Sequence, residues 1–303
     1  MKNVEFDSFI SESKQGTVRA IRFNVDGNYC LTCGSDKTLK LWNPFKRMLL
    51  KTYIGHGLEV MDAQGSCDNS QLVSCGTDKN VILWDVTTGN TVRKYRGHLS
   101  TVNSVAFNEE STVAISGSVD TSVRCWDLKS KRNEPIQILG EGTDSVTSVS
   151  VSSYEVLAGC ADGRVRRYDL RNGKLDTDDL VHSITSVRLT KDGQGILCSC
   201  SDSTVRLIDK DSGELLSEYK GHTHNQFKID SCTNHSDTHV VSGSEDGCVY
   251  FWSLIDGTIT HRLRHEGARI VHSIAYHPTK NCFISAAEGR FWIWQESEQE
   301  TEE

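Results

Sequence analysis

Apolar and polar residues alternate in short runs along nearly the whole chain. In "TVNSVAFNEESTVAISGSVDTSVRCWDLKSKR" (101–132), runs rich in Val, Ile and Thr are separated by the polar clusters "NEES", "GSVD" and "LKSKR". Alternation with a period of two puts one face of each run toward a core and reads as strand, and the clusters between read as turns. No window of a dozen residues carries an apolar stripe at helical spacing. The pattern therefore predicts an all-β chain of short strands.

The strand pattern repeats. Trp42, Trp84, Trp126 and Tyr168 are spaced by 42 residues, and the equivalent places further on hold Ile208, Trp252 and Trp294. An acidic residue precedes each by six: Asp36, Asp78, Asp120, Asp162, Asp202, Asp246 and Glu288. Seven units of four short strands predict a seven-bladed β-propeller, a single domain over residues 1–295. After residue 295 only residues 296–303 remain, an acidic tail expected to be disordered, so the last unit lacks its outer strand. An open edge there would invite pairing with other chains. Residues 4–10, "VEFDSFI", stand where an outer strand precedes the first unit, and are expected to complete blade seven.

The pairs "GH" at 55–56, 97–98 and 221–222, with "WD" at 84–85 and 126–127, resemble the WD40 repeat. A buried indole only donates a hydrogen bond and needs an acceptor. The resemblance implies that a strand hydroxyl accepts from the tryptophan and bonds a histidine, which bonds the turn aspartate. The complete sets are His56, Ser74, Asp78 and Trp84; His98, Ser116, Asp120 and Trp126; and His222, Ser242, Asp246 and Trp252. Serine, histidine and aspartate are also the parts of a hydrolase. A catalytic serine, however, is presented once, at an open site beside oxyanion donors, whereas these recur three times in mid-strand. They are expected to brace the fold, and no catalytic residue is expected. Thr32, Asp36 and Trp42 have no matching histidine, and Ala158 and Cys198 replace the hydroxyl in units four and five.

Charge and cysteine content narrow the partners. The formal charge is −8, much of it in the tail, so no positive field is expected to draw nucleic acid directly. No stretch is long and apolar enough for a signal sequence or a membrane span. The 11 cysteines fall mostly within apolar runs and read as small buried hydrophobes. Cys30 and Cys33 have metal-ligand spacing, but three residues along a strand turn them to opposite faces. Cys232, His235 and His239 lack an evident fourth ligand. "GEGTDS" (140–145) lacks the following helix of a nucleotide loop. Neither metal nor cofactor is expected.

Candidate partner-binding residues are Arg164, Arg166 and Arg171, from the basic stretch 163–173, and Arg19, Asn103, Thr147 and Lys228, at the starts of first strands. A second basic stretch, 45–53, falls on an outer strand, which accounts for its composition. Residues 22–44, 162–173, 202–222 and 237–247 are similar to one WD40 branch, the mitogen-activated protein kinase organizer family. That resemblance implies a non-enzymatic scaffold for components of an extracellular-signal-regulated kinase cascade, and association with spliceosomal complexes and pre-mRNA splicing. It implies a propeller that is monomeric within larger complexes, in cytoplasm and nucleus. An alternative rests on "YDLR" (168–171), which resembles the "WDxR" box of substrate receptors of cullin-RING ubiquitin ligases, with Tyr168 departing from the tryptophan.

Overall fold

The computed structural model describes residues 6–296, in which seven antiparallel sheets of four strands each surround a central channel. The blades occupy residues 18–54, 60–96, 102–139, 146–179, 184–220 and 231–264, and blade seven joins residues 271–296 to residues 6–12. Within blades one to six the strands run outward in chain order. The turn after each innermost strand therefore lies on one face, here called lower, and the turn after each second strand lies on the upper face.

Closure is made by Phe6–Glu12, which pairs antiparallel with Arg290–Glu296 and brings Ile10 opposite Trp292. Phe6 fixes this strand by packing 5.6 Å from Phe251 and 5.7 Å from Phe283. The first and last segments thus share one sheet, which leaves blade seven no shorter than its neighbours. Residues 4 and 5, and the tail after Glu296, lie outside the described residues.

The core lies between blades. Tyr53, on the outer strand of blade one, packs against Trp84 of blade two at 5.7 Å, and Tyr95 packs against Trp126 of blade three at 5.4 Å. Trp42 meets Phe291 of blade seven across the closing seam, at 5.3 Å. Strand faces that alternate in sequence are both covered because each sheet is sandwiched by two neighbours, so second strands such as Gly195–Cys200 are buried throughout. Cys30 and Cys33 fall in different inter-blade cores, and burial pushes both thiols up.

The recurring turn aspartate has a local cause. Its carboxylate accepts the backbone N–H two residues on, as in Thr38 to Asp36 at 2.9 Å, and likewise at Asn80, Ser122, Arg164 and Cys248. The residue after it adopts the left-handed region, for example Lys37 at φ 72° and Gly247 at φ 78°. At Gly247 a Cβ would also meet Ala268 O at 2.4 Å, so glycine is required there.

A bracing ring and a channel mouth as candidate interaction site

Two of the expected polar sets are complete. In blade two Trp84 Nε1–H donates to Ser74 Oγ at 2.8 Å, Ser74 Oγ lies 2.8 Å from His56 Nε2, and His56 Nδ1 lies 3.0 Å from Asp78. Blade three repeats this with Trp126, Ser116, His98 and Asp120 at 2.8, 2.8 and 2.9 Å. A carboxylate can only accept, so the histidine proton sits on Nδ1 and the serine hydroxyl donates to Nε2 while accepting from the indole. Every polar atom of the set is then used. Ser74 and Ser116 are fully buried, with no path for a substrate carbonyl.

The electrostatics fit that assignment. Burial tends to raise the Asp120 carboxyl, but bonds from Ser122, the Leu99 amide and His98 outweigh it and lower it to about 2. Burial likewise works against Asp78, and His56 and the Gly57 amide overcome it and hold it well below the usual carboxylate range. His98 is lowered by burial, with Asp120 opposing.

The third set is a correction: His222, Ser242, Asp246 and Trp252 are not joined. Trp252 Nε1–H donates to Lys220 O at 2.9 Å, Ser242 Oγ–H donates to Gly243 O at 3.0 Å, and Asp246 accepts from Tyr250 at 2.7 Å and Arg262 at 2.8 Å. Both ring nitrogens of His222 are buried without a hydrogen-bond partner among the described residues. The cause is loop length. Eight positions separate His222 from Asp230, against six between His56 and Asp62, and the extra residues seat His224 beside His222 at 6.0 Å. Burial, and then His224, lower His222 to about 4.

A further position completes the ring and escaped sequence reasoning. The residue four after the turn aspartate lies two before the marked third-strand position, and in blades four, five and six it faces back to the turn. Arg166 clasps Asp162 at 2.7 and 3.2 Å, Arg206 clasps Asp202 at 2.6 and 3.1 Å, and Tyr250 bonds Asp246. In blades four and five, where no histidine reaches the aspartate in this way, arginine takes its place. There the third-strand residue is Tyr168 or Ile208, with no indole to satisfy, and Ala158 and Cys198 suffice beside it. In blade one Gln15 stands in for histidine, accepting from Thr32 at 2.5 Å while Thr32 accepts from Trp42 at 2.9 Å. Blade seven keeps a shortened form, with His265 Nε2 at 2.6 Å and Trp294 Nε1 at 2.8 Å from Ser285 Oγ. The visible signals were "RHEG" and "KQG", each preceding a first strand as "GH" does elsewhere.

The upper mouth of the channel is shaped by bulges. In six blades the innermost strand slips register near its start, at Arg19, Met61, Asn103, Thr147, Thr185 and His272. A bulge re-aims one side chain. Met61, Asn103, Thr147 and Thr185, with Phe227 and Lys228, line a cavity of about 400 Å³. Several also tie blades together: Asn103 Nδ2–H donates to Val146 O at 2.9 Å, and Thr147 Oγ1 lies 2.6 Å from Ile184 O. Lys228 Nζ crosses the axis to Asn103 O at 3.0 Å. Arg19 pairs with Glu59 at 3.0 Å on the rim. The long loop of blade six frames the cavity, its Asn225, Gln226 and Phe227 amides all donating to Glu245 at 2.6–2.9 Å. Met61, Thr185 and His272 were missed in sequence, although each follows the first apolar residue of its strand as Arg19, Asn103 and Thr147 do.

The basic stretch divides. Arg166 is a correction as a partner-binding residue: it is 3% exposed and committed to Asp162. Arg164 is partly exposed and pairs with Asp179 at 3.2 Å. Arg171 is exposed, held by Asp169 at 3.1 Å and stacked 3.4 Å above the Tyr154 ring. His235 stacks on Tyr276, and His239 bonds Thr238, so the ligand-like cluster with Cys232 does not converge.

Seven four-stranded blades braced by indole, hydroxyl, imidazole and carboxylate define a WD-repeat β-propeller. The family described as "WD domain, G-beta repeat" matches residues 8–43 and 213–253, and "Nucleolar protein 10-like, N-terminal domain" matches 35–232. The chain belongs to the WD repeat domain-containing protein 83 family. It is 63% identical over 288 residues to WD repeat domain-containing protein 83 of Rattus norvegicus, covering 95% of this chain and 91% of the relative. The Homo sapiens protein of that name is 62% identical over 289 residues, with 95% and 91% covered. The Dictyostelium discoideum homolog is 36% identical over 318 residues, with 95% and 98% covered.

Proposed function

We propose that this propeller is a non-enzymatic scaffold, and that its partners are kinase-cascade components and pre-mRNA splicing assemblies, met in cytoplasm and nucleus. The observation that carries the reading is where the reactive side chains go. The joined serine, histidine and aspartate sets are spent in buried bracing between blades, while both faces present loops that differ from blade to blade. A rigid ring of this kind holds two proteins at once and raises their effective concentration without chemistry of its own. The kinase and splicing classes follow from the family resemblance. The upper mouth, with Phe227 on its rim, is the surface assigned to one of them.

The test is affinity capture of the full chain from separate cytoplasmic and nuclear fractions, with cross-linking mass spectrometry, for the natural chain and Phe227→Ala. Kinase components or splicing proteins cross-linked around the upper mouth, and reduced by Phe227→Ala, are expected. Capture of neither class overturns the assignment. Recovery of a cullin-ligase adaptor that is lost on Arg171→Ala would favour the receptor reading instead.

A further inference from the structure

Charged side chains fill the channel in layers. Below Lys228, Arg22 of blade one bonds Asp62 of blade two at 3.0 Å and Asp230 of blade six at 2.7 Å. Both carboxylates are further engaged, Asp62 by Ser104 at 3.0 Å and Asp230 by Ser273 at 2.6 Å. Burial opposes ionisation of Asp230, yet Arg22, then Lys228 and Arg188, hold it well below the carboxylate range. With Lys228 counted this layer is neutral, and both carboxylates are satisfied.

Arg188, near the lower end of the innermost strand of blade five, is different. Its guanidinium has neither a hydrogen-bond nor an ion-pair partner among the described residues, and feels Asp230 and Asp62 only at longer range. Burial and the neighbouring charge of Arg22 both disfavour its cationic form. An arginine stays protonated at neutral pH regardless, so a half-buried cation faces the cavity without a protein partner. It lines an open cavity of about 310 Å³ at the lower mouth, whose other walls include Phe23, Val25, Ile274, Tyr276 and Pro278. Val25 is exposed on the rim.

We infer that the lower mouth is a second binding site, which takes an acidic side chain, with an apolar neighbour, from an extended segment of a partner protein. The planar fork of Arg188 matches a carboxylate with two parallel bonds. The apolar wall matches the neighbouring residue. Charge decides between anions: Lys228 and Arg22 together balance Asp62 and Asp230, which leaves Arg188 as one uncompensated positive charge, so a monoanion neutralises the site and a phosphate dianion overshoots. The site lies at the opposite end of the channel from the Lys228 mouth and does not depend on what that mouth holds.

The test begins with panning a phage-displayed library of random 12-residue peptides against the full chain. Recovered peptides are then measured by fluorescence polarisation. Peptides sharing an Asp or Glu beside an apolar residue are expected, with affinity reduced about tenfold or more by Arg188→Gln and by Glu→Gln in the peptide. The two changes together should cost little more than either alone. Val25→Glu offers an internal carboxylate from an exposed position, where folding is insensitive, and should abolish binding even if Arg188→Gln proves unstable. Recovery of no peptide, binding indifferent to both variants, or displacement by inorganic phosphate at lower concentration than by glutarate would overturn the inference.

Discussion

Replacing a single buried hydroxyl separates the joined polar sets from the unjoined one. Ser116→Ala removes the acceptor of the Trp126 indole, now at 2.8 Å, and the donor to His98 Nε2, also at 2.8 Å. Both orphaned atoms are buried, and each unsatisfied group costs about 1–3 kcal/mol, so a total loss of about 2–5 kcal/mol is expected. Ser242→Ala, at the same strand position, removes only a bond to Gly243 O at 3.0 Å and should cost about 1 kcal/mol or less. Ser74→Ala should behave like Ser116→Ala. The assay is urea denaturation followed by tryptophan fluorescence and circular dichroism, with coincident transitions as the condition for quoting free energies. Equal costs at Ser242 and Ser116, or a cost below about 0.5 kcal/mol at Ser116, would refute the reasoning that the hydroxyl is a relay in one blade and a bystander in the other.

Three further outcomes follow from the same geometry. His222 and His265 are buried and lowered to about 4, so between about pH 6.5 and 4 the unfolded chain binds protons that the folded chain does not. Stability must fall as pH drops through that window, by up to about 3 kcal/mol per histidine at 1.36 kcal/mol per unit, and His222→Asn should flatten the pH dependence of the urea midpoint. Arg166→Met leaves Asp162 without its clasp and should cost about 2–3 kcal/mol, partly restored in the double variant with Asp162→Asn, as read by thermal melting. Phe6→Ala removes a ring packed against Phe251 and Phe283 and should lower stability by about 2–4 kcal/mol while increasing concentration-dependent association as the edge beside Trp292 opens, measured by light scattering; an unchanged melt would show that Phe6–Glu12 is not what closes the ring.

Much of the architecture is legible in the residues because each blade states it locally. Alternation sets the strands, Asp36, Asp78 and their equivalents mark the turns, and Trp42, Trp84 and Trp126 mark the third strands at constant spacing. The mouth residues were half legible. A bulge follows from closing the inner strands around a narrow channel, and that curvature is a property of the ring and not of any one strand. Arg19, Asn103 and Thr147 stand out by chemistry, whereas Met61 does not, although it holds the same bulged place.

The order of residues by itself determined the repeat, the strand pattern, the number of blades and the match between a third-strand indole and a second-strand hydroxyl in most blades. Those depend on neighbours within one sheet, and a period of about 42 residues carries them. Tertiary structure decided which polar groups meet. His222 has the same flanking glycine as His56 and His98, yet two extra loop residues shift its surroundings by a distance that a hydrogen bond does not tolerate. It also decided the fate of the arginines, since Arg166, Arg188 and Arg22 look alike on a strand. Arg166 is clasped by a turn of its own blade, whereas Arg22, shared by two carboxylates, and Arg188, left alone at a mouth, differ because the channel brings together blades far apart in the chain.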